Sequence, residues 1–293
     1  MIVWSDDRRV LKGNLHVHTT RSDGKLSPEA VMDLYRAAGY DFLALSDHKK
    51  VLTPTIERNG LLGIQSVEFD FNLPGQVMHI VGVGVPEEIG EKISSASGPQ
   101  NAIDAINEMG GVAILAHPAW SLNTPDVMCA LRGVCAAEIY NTVSGLPWNA
   151  DRADSSSLLD ACAASGHAFN LVATDDAHFY NGDSCQSWTM VAAEENTPEA
   201  IKAALRKGDF YATRGPEIHR IEFDGETVSV DCSPARAIWF PSELPWGANR
   251  VVTGENLTHA EYKLHPSLRR FVRVVIEDAN GKRAWSNPVI VEK

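Results

Sequence analysis

Positive charge is scarce in this chain: 26 lysines and arginines stand against 38 aspartates and glutamates, for a formal net charge of −12. Long nucleic acid is held chiefly by basic patches and counterion release, so this balance disfavours it, while a short nucleotide remains compatible. No apolar run approaches the roughly 18 residues of a membrane span, and the acidic start MIVWSDD does not resemble a secretory signal. A cytoplasmic protein is the expectation. Cysteine is sparse as well: Cys129, Cys135, Cys162, Cys185 and Cys232 are odd in number and form no CxxC pair. That argues against a disulfide framework or a zinc ribbon and predicts reduced, mostly buried thiols. Internal repeats and low-complexity segments are absent.

Hydrophobic residues make up 44% of the 293 positions, ample for a core, and the length suits one large barrel or a barrel with a small appendage. Nine metal-capable side chains recur just after short apolar runs: His16, His18, Asp23, His48, Glu68, His79, His117, Asp176 and His178. In HVH the imidazoles stand at i and i+2, which on an extended strand puts both on one face; a helix would splay them. LALSDH, AILAH and LVATDDAH each run from an apolar strand into a ligand. If these strands are parallel, the ligands gather at one rim, where (β/α) barrels keep their active sites. A cluster of this size predicts several ions, and a mixed imidazole and carboxylate set favours zinc, manganese or iron over calcium.

The segment KLSPEAVMDLYRAAGYDFLALSDH reads as one αβ unit, with Ser27 as cap, Pro28 in the first turn and Gly39 as the stop. Similar units follow at GPQNAIDAINEMGGVAILAH, TPDVMCALRGVCAAEIYN and DRADSSSLLDACAASGHAFNLVATDDAH, and TPEAIKAALRKGDFY closes the pattern. LLGIQSVEFDF and QVMHIVGVGV read as adjacent strands joined across Asn72 to Gly75, a break in strict alternation. After Gly215 and Pro216 the texture changes to hairpins, with turns at Asp224–Gly225 and Asn280–Gly281. The division expected is therefore an α/β barrel over residues 1–215 and a small antiparallel β domain over 216–293, the latter for packing or oligomerisation.

With its ligands in this order, the chain resembles the polymerase-and-histidinol-phosphatase (PHP) superfamily of metal-dependent phosphoesterases. The resemblance is carried by HVHTTRSDG, LALSDH, SVEFD, MHIVG, ILAHP and TDDAH. It implies a distorted (β/α)7 TIM-like barrel. GDFYATRGPEI and AWSNPVIV look like the stand-alone branch with a C-terminal β domain, which includes carbamate or ester hydrolases similar to carbaryl hydrolase. The resemblance also implies three metal sites: His16, His18, Glu68 and Asp176; Glu68, His79 and His117; and Asp23, His48 and His178, with Glu68 shared. The cofactors expected are two or three divalent ions, and the substrate a small phosphorylated molecule of nucleotide or sugar-phosphate class. Water ionised between two ions would be the nucleophile, since coordination lowers its pKa to about 7. A carboxylic or carbamic ester or amide is the alternative substrate.

Glu68, Asp176 and Arg21 are the candidate catalytic residues, and Arg21, Arg214, Glu138 and Asn141 the candidates for binding substrate. Arg21, between two ligand groups, is the arginine best placed for a phosphate; Lys49 and Arg152 are further candidates. Glu138 would either assist proton transfer or bind a loop amide. Asp175 and Asp47, each preceding a ligand, either orient a metal-bound imidazole or cap a strand end. Trp120, Trp148 and Tyr140 lie at strand ends, positioned either to stack a ring or to pack.

Overall fold

The structure is a computed structural model and describes residues 1–49, 51, 53–94 and 97–291. Strands β1 (Ile2–Ser5) and β2 (Val10–Val17) lead into α1 (Pro28–Ala37) and β3 (Phe42–Leu45). Next come β4 (Ile56–Arg58), β5 (Leu61–Leu73), β6 (Gln76–Val83), the short α2 (Ile89–Lys92), α3 (Pro99–Glu108) and β7 (Val112–Ala116). They are followed by α4 (Pro125–Ala130), β8 (Ala136–Asn141), α5 (Ser156–Ala164), β9 (Asn170–Thr174), β10 (Trp188–Ala192), α6 (Pro198–Lys207) and β11 (Phe210–Thr213). The chain ends in strands alone: β12 (Ile218–Phe223), β13 (Thr227–Trp239), β14 (Val251–Lys263), β15 (Phe271–Val272), β16 (Val275–Glu277), β17 (Arg283–Ser286) and β18 (Val289–Ile290).

Helix ends follow local chemistry. The Ser27 hydroxyl accepts the Ala30 N–H at the start of α1, and Thr197 accepts the Ala200 N–H at the start of α6. Gly208 ends α6 in the left-handed region at φ 76°, which a glycine adopts without steric cost. Helix α1 buries Val31, Met32 and Tyr35 against Leu43 and Leu45 of β3. In β2, a Cβ at Gly13 would meet the Phe42 ring at 2.0 Å, so only glycine lets that ring lie flat beneath the strand.

The fold is α/β, with one large mixed sheet and a separate two-stranded antiparallel sheet, β15–β18. Strands β2, β3 and β5 pair in parallel, as do β7, β8 and β9; β6 lies antiparallel between β5 and β7. That hairpin is the break in alternation expected across Asn72 to Gly75. Beyond β9 the chain returns to β2: Asp176 N–H donates to the His16 carbonyl, His18 N–H to that of Ala177, and Val17 bridges Ala177 in parallel. All the parallel strands therefore deliver their C-terminal ends to one rim.

The antiparallel strands extend this sheet. β17 pairs with β11, and β1, from the opposite end of the chain, pairs with β12. The hairpin turns fall where Asp224–Gly225 and Asn280–Gly281 predict them. Buried Trp285 stacks on Tyr140 at 5.8 Å, and buried Arg273 forms a two-pronged ion pair with Asp160 of α5. The five cysteines are free; Cys162 and Cys232 are buried and the other three partly so. Among the described residues, no helix is long and apolar enough to cross a membrane.

Candidate metal centre

All nine proposed ligands converge on the rim, in the three groupings that the sequence implied, with His18 also within reach of the Asp23, His48 and His178 group. Pleating explains the first pair. His16 and His18 share a face at the end of β2, and their Nε2 atoms stand 3.1 Å apart. Around them lie Glu68 Oε2, 3.3 and 3.2 Å away, and Asp176 Oδ1, 3.2 and 3.0 Å away. On the next strand His79 faces Asp70 across the β5–β6 ladder and reaches diagonally to Glu68 Oε1 at 2.8 Å. His117 Nε2 approaches the same oxygen at 3.2 Å, while His48 Nδ1 stands 3.1 Å from Glu68 Oε2. Asp23 is the outermost member, half exposed, 3.6 Å from His48 and 3.5 Å from His178.

These separations fit a cation. Donors bound to one ion at about 2.0–2.2 Å stand about 3.0–3.5 Å apart. Asp176 Oδ1 and the Nδ1 atoms of His18 and His48 are buried and, among the described residues, have no hydrogen-bond partner, although opposite charges lie close. Such donors close to charges yet unaligned for hydrogen bonds suit atoms that face a common ion. The backbone carries strain at two ligands: His117 and Asp176 have φ of 29° and 52°, costly for residues with a Cβ.

The electrostatics are those of a site short of positive charge. Burial opposes protonation of His16, but Asp176, Glu68 and Glu138 outweigh it and hold the imidazole well above its ordinary value. Burial likewise opposes His18, but the carboxylates of Asp176 and Glu68, 3.0 and 3.2 Å away, raise it to about 9. Glu68 and Asp176 would be raised by burial, yet the surrounding imidazoles keep both well below the usual carboxylate range. A divalent cation would replace those protons, because ligands bind metal in their deprotonated forms.

The supporting residues separate from the ligands. Glu138 is wholly buried and lies behind His16, with Oε1 2.8 Å from Nδ1 of that ring, and it accepts from His117 N–H, Asn141 Nδ2 and Thr174 Oγ1. Asn141, also buried, donates in addition to Asp176 Oδ2 at 3.2 Å. Both were expected to bind substrate, with a loop amide as the alternative for Glu138; Glu138 takes the His117 amide, and Asn141 divides its amide between Glu138, Asp176 and Ser144. Asp47 accepts from Thr19 and Ser22 and so pins the HTTRSDG loop, where a Cβ at Gly24 would meet the His18 carbonyl at 2.6 Å. Asp175 accepts from Tyr35, Asn14, Thr142 and the N–H groups of Cys185, Gln186 and Ser187, anchoring the loop before β10. Burial pushes its carboxyl up to about 6 against the pull of Tyr35 and those amides. Neither aspartate makes a described contact with a ligand imidazole.

Beside the ligands lies a cavity of about 300 Å³. One wall is the histidine and carboxylate cluster, the other Trp120, Val143, Ser144, Trp148, Asn149 and Phe179. No lysine or arginine lines it among the described residues. Arg21 is exposed on the pinned loop, and its charge acts on Glu29 at the start of α1. Arg214 packs over the Tyr140 ring at 4.2 Å. Lys49 pairs with Asp70 at 3.4 Å, and Arg152 lines a neighbouring compartment on the far side of Trp120 and Trp148. Arg21, the arginine expected beside the substrate, lies on the exposed Thr19–Gly24 turn and is not part of this lining. Phe179 and Ser121, whose hydroxyl lies 2.9 Å from His117 Nδ1, escaped the sequence reading; position i+4 after His117 was the available signal for Ser121.

No protein-family model matches the chain. A 5'-3' exoribonuclease of Haemophilus influenzae is 30% identical over 37% of this chain and 49% of its own length, so the chain spans about half the length of that curated relative. Among solved structures, a two-domain protein of Bacteroides vulgatus containing a predicted PHP-like metal-dependent phosphoesterase superposes with a TM-score of 0.53. It is 14% identical, and the match covers 99% of this chain and 98% of that one. The lesion-specific endonuclease EndoQ of Pyrococcus furiosus aligns with a TM-score of 0.46 at 17% identity, over 68% of this chain and 56% of that one. The chain shares the fold of that two-domain protein, which contains a predicted PHP-like metal-dependent phosphoesterase.

Proposed function

We propose that this protein is a metal-dependent hydrolase that cleaves the phosphate ester of a small molecule of nucleotide or sugar-phosphate class. The architecture we assign is a distorted (β/α)7 TIM-like barrel over residues 1–215 with a small β domain over 216–293; the return of the chain from β9 to β2 supports the barrel. The observation that carries the function is the convergence of nine imidazole and carboxylate groups in three overlapping sets, with seven of the nine groups lining one wall of a cavity. His16, His18, Glu68 and Asp176 would hold one divalent ion, Glu68, His79 and His117 a second, and Asp23, His48 and His178 a third, with zinc, manganese or iron suited to the donors. Bound there, such ions supply Lewis acidity, lowering the pKa of water and offsetting charge that builds on the ester.

The chain's own residues do the rest. Glu138 fixes which ring nitrogen His16 presents to the cluster, and Ser121 does the same for His117. Asp176 and Glu68, held ionised by the surrounding imidazoles, supply carboxylates ready to take a cation. Trp120 stands edge-on to His117 and His79 and shields that side of the cluster from water. The partial likeness to an exoribonuclease supports a nucleotide as substrate, while the charge of −12 weighs against long nucleic acid.

A second reading, hydrolysis of a carboxylic or carbamic ester or amide on the same centre, is favoured by the lack of lysine and arginine in the described lining. The test is a panel of phosphate and carboxyl esters, with the protein loaded separately with zinc, manganese or iron, and His16→Ala as control. Turnover of phosphate esters alone supports the first reading, and turnover of carboxyl esters alone the second. Equal activity in exhaustively chelated His16→Ala protein would defeat both.

A further inference from the structure

We infer that Trp148 and Phe179, with Trp120 at their base, form a stacking clamp for a planar aromatic group of the substrate, and so decide which esters reach the metal ligands. The inference deepens the hydrolase reading and rests on it.

Trp148 and Phe179 are 64% and 44% exposed, the least buried aromatic side chains on this rim, and both face the cavity that holds His48 and His178. Their rings meet edge to face at 5.6 Å and 85°. Phe179 directly follows the ligand His178, so the aromatic wall begins one residue from the centre.

The wall is held in place rather than left loose. Asn149 Oδ1 accepts the indole N–H of Trp120 at 3.1 Å, and Asn149 Nδ2 donates to the Val143 carbonyl at 2.8 Å, which ties both tryptophans to one short turn. On the other side Asp183 accepts the N–H groups of His178 and Phe179 at 2.8 and 2.7 Å. Ala150 and Asp151, immediately after that turn, both have positive φ, at 57° and 54°. Backbone strain of this kind persists where the surroundings fix it, and it recurs at ligand clamps.

The occupant follows from the surface offered. The wall opposite the metal ligands offers three aromatic rings and one valine beside Ser144 and Asn149, and such a surface recognises a π-system better than a flexible chain. A cavity of about 300 Å³ has room for one ring system beside the bond to be cut. A purine base and a simple aryl group share that chemistry.

Two measurements test the clamp. The first is the ratio of kcat/KM for an aryl phosphate to that for glycerol phosphate, on the metal-loaded enzyme. Trp148→Ala should lower this ratio about tenfold, mainly through KM for the aryl ester, and Trp148→Phe should restore most of it. The second needs no metal and no turnover: saturation-transfer NMR with EDTA-treated protein and either adenosine or 1-naphthol. Transfer to adenosine alone, to naphthol alone or to both supports the clamp and names its source, provided that Trp148→Ala with Phe179→Ala abolishes it. Transfer to neither compound, or an unchanged ratio in Trp148→Ala, overturns it. If no ester is hydrolysed with any metal, the hydrolase reading falls, and the NMR result still decides the clamp.

Discussion

His16 and Glu138 meet at 2.8 Å, Nδ1 to Oε1, and the other carboxylate oxygen takes the His117 backbone N–H at 2.7 Å. One buried carboxylate thus positions a ligand from each of two metal groups. Glu138→Gln should retain the fold but weaken metal binding about 10–100-fold, because an amide cannot accept at both positions as the carboxylate does. Competition against a fluorescent chelator measures this; unchanged affinity with a native circular dichroism spectrum would show that the carboxylate serves packing alone.

Glu68 belongs to two donor groups, as His18 does, so its loss should cost more metal than loss of a ligand such as His79 that belongs to one. Elemental analysis of Glu68→Ala should find fewer ions per chain than His79→Ala, and chelation should lower the melting temperature of the wild type more than that of either variant. A ligand at 100 times its Kd stabilises the folded state by about 2.7 kcal/mol, so the shift is readable by calorimetry. Equal metal content in the two variants would dismiss the sharing.

What was legible in the sequence was local. Ser27, Pro28, Thr197 and Gly208 set helix ends through contacts within a few residues, and the apolar-run-then-ligand pattern follows from strand ends meeting at one rim. The β5–β6 hairpin was equally local. What was hidden depends on distant partners: β1 pairs with β12 more than 200 positions away (Ile2 opposite Glu222), and Phe179 meets Trp148 across a gap that no periodicity encodes. Arg21 is a related case: nearness in sequence to His18 and Asp23 makes it a candidate, whereas its place on the exposed loop pinned by Asp47, outside the described cavity lining, depends on distant contacts.

Arg273 is 2% exposed and its guanidinium grips both oxygens of Asp160, at 2.7 and 2.8 Å, joining the antiparallel tail to α5. Breaking a buried pair by removing one partner leaves an unmatched charge, at a cost of about 3 kcal/mol or more; the partial exposure of Asp160 sets this case near the lower end. Asp160→Ala should destabilise the protein by about 2–3 kcal/mol in urea unfolding, and Arg273→Met by less. Because β17 also pairs with β11, the chain should unfold in a single transition. Two resolved transitions would mean that the tail folds independently of this pair.

Glu277 supplies a pH dependence remote from the metal ligands. Its carboxylate is buried between Arg236 and Arg283, at 2.7 and 2.8 Å. Burial would raise its pKa, but the two guanidinium groups outweigh that and leave it below the ordinary glutamate value. A depressed carboxylate contributes stability that is fully present above its unfolded pKa and is lost as pH falls through the folded one. Wild type should therefore be more stable than Glu277→Gln at neutral pH, and the gap between their melting temperatures should close on acidification below the ordinary glutamate range. A gap that stays constant down to pH ~3 would assign the difference to packing instead of charge.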